Sequence, residues 1–110
     1  MSLCAPISFA LATDNVVIAG VANFYIEVMG YRLSATNANQ ATWGSKLGSA
    51  ATVAIDGPHC LSPNTAGQPM VASDDREPVF IVPTGAALIL TLTAAHQVSG
   101  GVTYALRQNL

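Results

Sequence analysis

Apolar and polar residues alternate one by one through much of this chain, and that period of two limits what it can fold into. Leu88, Leu90 and Leu92 share one parity, with Thr91 and Thr93 on the other. Val102, Tyr104 and Leu106 alternate with Thr103, Ala105 and Arg107, and Ile7, Phe9 and Leu11 alternate with Ser8 and Ala10. Successive side chains of a strand point to opposite faces, so each run reads as a strand with one face in a core. No stretch of a dozen residues shows helical periodicity with a cap.

One strand breaks the rule in an informative way. Phe24, Ile26 and Val28 form an apolar face, yet strict alternation would then bury Arg32 and expose Tyr31 and Leu33. A single extra residue restores the pattern, and glycine inside a strand often marks such a bulge. The expectation is a bulge or sharp bend at Met29–Gly30 that returns Tyr31 and Leu33 to the core.

Further strands are expected over Val16 to Ala19, Ala41 to Lys46 around Trp43, and Thr52 to Ile55. Val79 to Val82, apolar throughout between Pro78 and Pro83, suits a strand covered on both faces. Turn signals lie at Thr13-Asp14-Asn15, Thr36 to Gln40, Gly57-Pro58, Ser62 to Gly67, Thr84-Gly85 and Ser99-Gly100-Gly101. Leu61 to Arg76 is the longest irregular stretch, a place for a partner contact. The count is roughly eight short strands in one all-β domain spanning residues 1–110, with segment 1–12 an arm or edge strand. The expected fold is an antiparallel β-sandwich, jelly-roll-like, with Phe24, Ile26, Val28, Leu88, Leu90, Leu92, Val102, Tyr104 and Leu106 in its core.

Composition bears on the surface. Charged residues are 9% of the 110 and hydrophobic residues 51%, against about 25% charged in ordinary soluble domains. A surface so poor in charge is weakly protected against association, so part of it is expected to be covered. The four cations, Arg32, Lys46, Arg76 and Arg107, are scattered. Nucleic-acid binding calls for clustered cations and is not expected. No apolar run approaches the roughly 20 residues of a membrane helix. Met1 to Leu11 has neither basic segment nor long apolar stretch, so no secretory leader is expected. Cys4 and Cys60 then read as reduced, partly buried thiols.

The residues that could carry chemistry do not form a recognisable set. His59 and Cys60 are adjacent and would face opposite ways on a strand, while His96 and Cys4 lie far off. Structural zinc sites pair ligands two to four residues apart, so no metal is expected. A cupin enzyme would need several histidines and a carboxylate around a metal, and only two histidines are present. No Gly-x-Ser-x-Gly turn occurs, and Cys60 has no identifiable orienting partner. Asp74, Asp75 and Glu77 surround Arg76 without the spacing of a calcium loop. They read as a solvated loop with a local ion pair, and as a contact patch if they have a function. Trp43, the only tryptophan, sits in an alternating segment and is expected in the core. Tyr25, opposite Phe24 and Ile26, is the better interface candidate, with Met29 beside it.

The order of motifs is itself informative. Phe24-Tyr25-Ile26-Glu27-Val28-Met29-Gly30-Tyr31-Arg32-Leu33-Ser34-Ala35 is followed by the Trp43 strand and Ile55-Asp56-Gly57-Pro58. Then come Pro78-Val79-Phe80, Gly85-Ala86-Ala87-Leu88-Ile89-Leu90-Thr91-Leu92 and Val98-Ser99-Gly100-Gly101-Val102-Thr103-Tyr104. From about Val16 to Leu106 this resembles small jelly-roll structural proteins of tailed bacteriophages, several of which are capsid decoration or cement proteins. The resemblance implies a non-enzymatic virion protein without cofactors, made in the host cytoplasm and bound to the outer capsid surface. It implies two partners: the major capsid protein and further copies of itself, as a homotrimer. A tail- or fibre-associated module binding a receptor or glycan is the competing reading. That reading calls for exposed aromatics, and aromatic residues are only 6% of the chain.

Overall fold

A computed structural model describes residues 3–61, 68–71 and 78–108, with 68–71 described as backbone. Every regular element among them is a strand: β1 (Leu3–Phe9), β2 (Asp14–Ile18), β3 (Phe24–Ala35), β4 (Asn39–Lys46), β5 (Val53–Leu61), β6 (Gln68–Val71), β7 (Phe80–Val82), β8 (Ala87–Leu92) and β9 (Val98–Gln108). They form two antiparallel sheets. One runs β1-β9-β3 and is completed by β6 and β7, and the other runs β2-β8-β4-β5. β6 pairs with Gly30–Leu33 of β3 and β7 with Ile26–Val28, so the two share one edge position. Eight strand positions in two four-stranded sheets result, as expected.

The pairing is nested. β4 pairs with β5, β3 with β6 and β7, β2 with β8, and β1 with β9, each pair enclosing the one before it. A long antiparallel hairpin rolled so that alternate pairs fall in opposite sheets is a jelly roll. Within the segment expected as an arm or edge strand, β1 pairs along its length with β9 at the edge of its sheet.

Alternation puts the core between the sheets. Ile26, Val28, Leu88, Leu90, Leu92 and Val102 are buried as expected, joined by Ile7, Leu33, Val82 and Val98. Tyr104 and Leu106 pack against this core at its margin, and Phe24 is only half-buried. Trp43 is fully enclosed, edge-on to Tyr31 with ring centroids 5.2 Å apart. The bulge is present. Val28 pairs with Tyr104 and Gly30 with Thr103, which leaves Met29 as the extra residue and buries Tyr31 and Leu33 while Arg32 is exposed.

Several expectations fail, each for a tertiary reason. Gly57-Pro58 is not a turn but lies inside β5, where a register shift against β4 absorbs the break. Ser99-Gly100-Gly101 is likewise inside β9. A Cβ added to Gly100 would lie 1.8 Å from the Arg32 carbonyl oxygen, and its φ of 152° disfavours other residues, so glycine here serves a close strand approach. Asp14 and Asn15 belong to β2, and the turn precedes them. Val79 to Val82 is not covered on both faces: Val82 is buried while Ile81, on the outer face of an edge strand, is 48% exposed. Leu11 lies beyond β1 and is 65% exposed. Both cysteines are free and exposed, not partly buried. The stretch from Leu61 to Arg76 contains β6.

Two buried asparagines hold the loops. Asn15 Nδ2 donates to the carbonyls of Leu11, Thr13 and Leu90. Asn39 Nδ2 donates to those of Ala94 and His96, while its Oδ1 accepts from the Ala94 amide. Each ties backbone carbonyls of the adjoining segments to its own strand.

Candidate functional site

The densest polar cluster among the described residues bridges the two sheets. Tyr31 projects inward from β3, packing against Trp43 and, at 6.4 Å between centroids, Phe80. Its hydroxyl meets two side chains of β5. It donates to Asp56 Oδ2 at 2.9 Å and lies 2.9 Å from His59 Nε2, which is itself 3.3 Å from Asp56 Oδ2. Residues three apart on a regular strand face opposite ways. Here Asp56 pairs with Trp43 and His59 with Ala41, so β5 spends three steps where β4 spends two, and both side chains reach the same hydroxyl.

The proton count fixes the roles. Tyr31 has one hydroxyl proton, and Asp56 accepts it. The hydroxyl can then only accept from His59, so the imidazole carries a proton on Nε2. Burial first, then the hydrogen bond and the charge of Asp56, push the Tyr31 hydroxyl well above the usual phenol range, with the nearby Trp43 indole partly opposing them. That indole N–H is itself buried without a hydrogen-bond partner. A hydroxyl held protonated is a hydrogen-bond donor, and through it the cluster clasps the edge strand β5 to the facing sheet. Among the described residues, no three or more His, Cys, Asp and Glu side chains gather where they could hold a metal ion.

The other candidates are dispersed. Tyr25 and Met29 are half-buried on β3. Tyr25 pairs with Arg107 and neighbours Glu27, whose carboxylate accepts from Arg107 Nε. This ion pair on the outer face of the β1-β9-β3 sheet raises the Arg107 pKa further. Asp74, Asp75 and Arg76 lie outside the described residues. His96 is exposed, far in the chain from His59. Sequence reasoning placed Tyr31 in the core but missed Asp56 and His59 as its partners. The missed signal is the Asp56–His59 spacing, which reads as two faces unless the β5 irregularity is known.

The sheet edges are protected. Edge strands offer free backbone groups to other chains, and proline removes a donor. Pro6 lies in β1, Pro58 in β5 and Pro69 in β6. The edge strands without proline are short: β7 has three residues, and β2 has five and is interrupted by a register shift between Val16 and Ile18.

No family model, no curated protein and no solved structure matches this chain.

Proposed function

We propose that this chain is a non-enzymatic structural protein of a tailed-bacteriophage virion, bound to the outer capsid surface, where it decorates and stabilises the shell. The observation that carries this reading is that the motifs of the resemblance fall in order on jelly-roll strands. Phe24–Ala35 is β3, the Trp43 segment is β4, Ile55 to Pro58 lies in β5, Gly85 to Leu92 ends in β8, and Val98 to Tyr104 opens β9. The most developed polar cluster is a structural clasp, which fits a protein that works by presenting surface. Proline-blunted edges and a surface poor in charge fit contact through faces.

The partners are the major capsid protein and other copies of this chain, with a trimer as the resemblance implies. A shell protein of this kind stabilises by binding the assembled state, so its effect grows with occupancy. Particles assembled without it should rupture at lower temperature and under milder osmotic shock than complete ones. Adding purified protein back should restore them, and particles equally robust without it would end the stabilising role.

A further inference from the structure

We propose that Tyr31, Asp56 and His59 form a binding site for a divalent transition-metal ion of the Zn(II) class, which staples the edge strand β5 to the facing sheet. The inference is independent of the capsid role, because it concerns the inside of one chain. It departs from the expectation of no metal. Spacing along the chain hid the set, since its third donor is a tyrosine from the other sheet.

Three donor atoms of suitable kinds converge. Imidazole nitrogen and carboxylate oxygen are ordinary ligands of such an ion, and an ionised phenol adds a second anionic oxygen. The Tyr31 hydroxyl oxygen lies 2.9 Å from Asp56 Oδ2 and 2.9 Å from His59 Nε2, and these two lie 3.3 Å from each other. Ligands about 2.0–2.1 Å from one ion stand about 2.9 Å apart when they meet at right angles and about 3.3 Å apart at the tetrahedral angle. The triangle spans that range, so an ion ~1 Å off its plane reaches all three atoms without rearrangement of the strands. The hydroxyl proton and the Nε2 proton account for the two short edges. The third edge has no proton of its own, and a shared cation would satisfy it.

The surroundings favour a cation at this oxygen. Burial raises the Tyr31 pKa first, and Asp56 raises it further by hydrogen bond and charge, which is a negative potential that attracts a positive ion. Trp43 adds a second observation. Its Nε1–H is buried without a partner, and the indole lowers the Tyr31 pKa, so it favours the ionised oxygen that a metal would hold. Binding would move the imidazole proton from Nε2 to Nδ1 and release the Tyr31 proton to water, one proton for each ion bound. The side chains of Asp56 and His59 are 33% and 23% exposed, so an ion can enter from the surface and keep water as a further ligand.

The test is titration of the full chain, freed of metal by chelator dialysis, with Zn(II), and with Mg(II) as control. Calorimetry reads binding, and ultraviolet difference spectroscopy reads ionisation of tyrosine, in the native protein and in Tyr31→Phe and His59→Gln. Tyr31→Phe keeps the ring against Trp43, and circular dichroism checks that both variants fold. The expected result is one Zn(II) per chain, no Mg(II), the difference band of an ionised tyrosine, and a melting temperature raised by Zn(II), as for any ligand of the folded state alone. Tyr31→Phe should abolish the band, and both variants should bind at least about tenfold more weakly, the loss that even a supporting partner of a metal ligand causes. The band in the native chain decides the matter if a variant fails to fold. Absence of saturable Zn(II) binding would overturn the site. Binding without the tyrosine band, or undiminished in folded Tyr31→Phe, would overturn it equally by placing the ion elsewhere.

Discussion

Gly100 and Tyr31 illustrate how single residues here are fixed by what lies opposite them. Gly100 pairs with Leu33 on one side and Ile7 on the other, with the Arg32 carbonyl where a side chain would begin. Gly100→Ala should cost about 3 kcal/mol or more, since β3 and β9 must separate to admit the methyl group. Urea unfolding followed by Trp43 fluorescence measures it, and a cost under about 0.5 kcal/mol, typical of exposed sites, would contradict the close approach. Tyr31 gives a prediction in pH. Its hydroxyl is held protonated in the folded chain, above its unfolded value of about 10. The folded state therefore binds the proton more tightly. The corresponding stability is complete below about pH 10 and is lost as pH rises towards the folded value. Tyr31→Phe should flatten the decline in stability above about pH 10, at the expense of a lower plateau from the lost hydrogen bond. An unchanged alkaline slope in the variant would assign the decline elsewhere.

At the scale of elements, β8 is one of the two inner strands of its sheet and β3 the longest strand of the other. Leu90 is completely buried and pairs with both Asn15 and Trp43. Leu90→Ala should cost about 2–5 kcal/mol by lost transfer energy and the cavity left behind, measured by the same urea titration. The bulge at Met29 admits a sharper test. Deleting Met29 would remove the extra residue and make β3 regular, with Val28 and Gly30 still opposite Tyr104 and Thr103, Tyr31 and Leu33 still inward and Arg32 still outward, so the deletion variant should fold with the same register. Met29→Ala keeps the extra residue and should fold as well. A deletion variant that fails to fold while Met29→Ala folds, read by circular dichroism, would show that the bulge does more than correct the parity of β3.

For the whole molecule, the two sheets differ in what they offer. The β1-β9-β3 sheet carries Ser34, Ser99 and the Glu27–Arg107 ion pair on its outer face, with exposed Ile81 on β7 at its edge, whereas the β2-β8-β4-β5 sheet presents Val16 beside a covered Ile89. With prolines in three edge strands and the other two short, assembly by strand addition is disfavoured. Isolated protein should thus remain free of fibrils on prolonged incubation, checked by thioflavin fluorescence and electron microscopy. Rapid fibril growth under native conditions would show that the edges are open. Loss of the clasp by Tyr31→Phe should leave the proposed capsid binding largely intact, because the cluster lies mainly between the sheets; cosedimentation with shells lacking the protein measures this.

Alternation alone determined the class of fold, the sheet-forming segments around Ile26, Leu90 and Val102, and the burial of Trp43. It also located the bulge at Met29, because Arg32 cannot sit where Leu33 belongs without an uncompensated charge in the core. These are local conflicts, and a strand's two faces make them visible in one dimension. What tertiary structure decided is which glycines and prolines turn the chain and which merely let strands pass close. Gly57-Pro58 and Ser99-Gly100-Gly101 carry the residues of turns, yet both lie within strands, because their neighbours across the sheet supply hydrogen bonds on either side of the irregularity. The Tyr31–Asp56–His59 clasp was hidden for the same reason. Its members stand 25 and 28 residues apart in sequence, and only the rolled hairpin, with one extra step in β5, brings a carboxylate and an imidazole to the same buried hydroxyl.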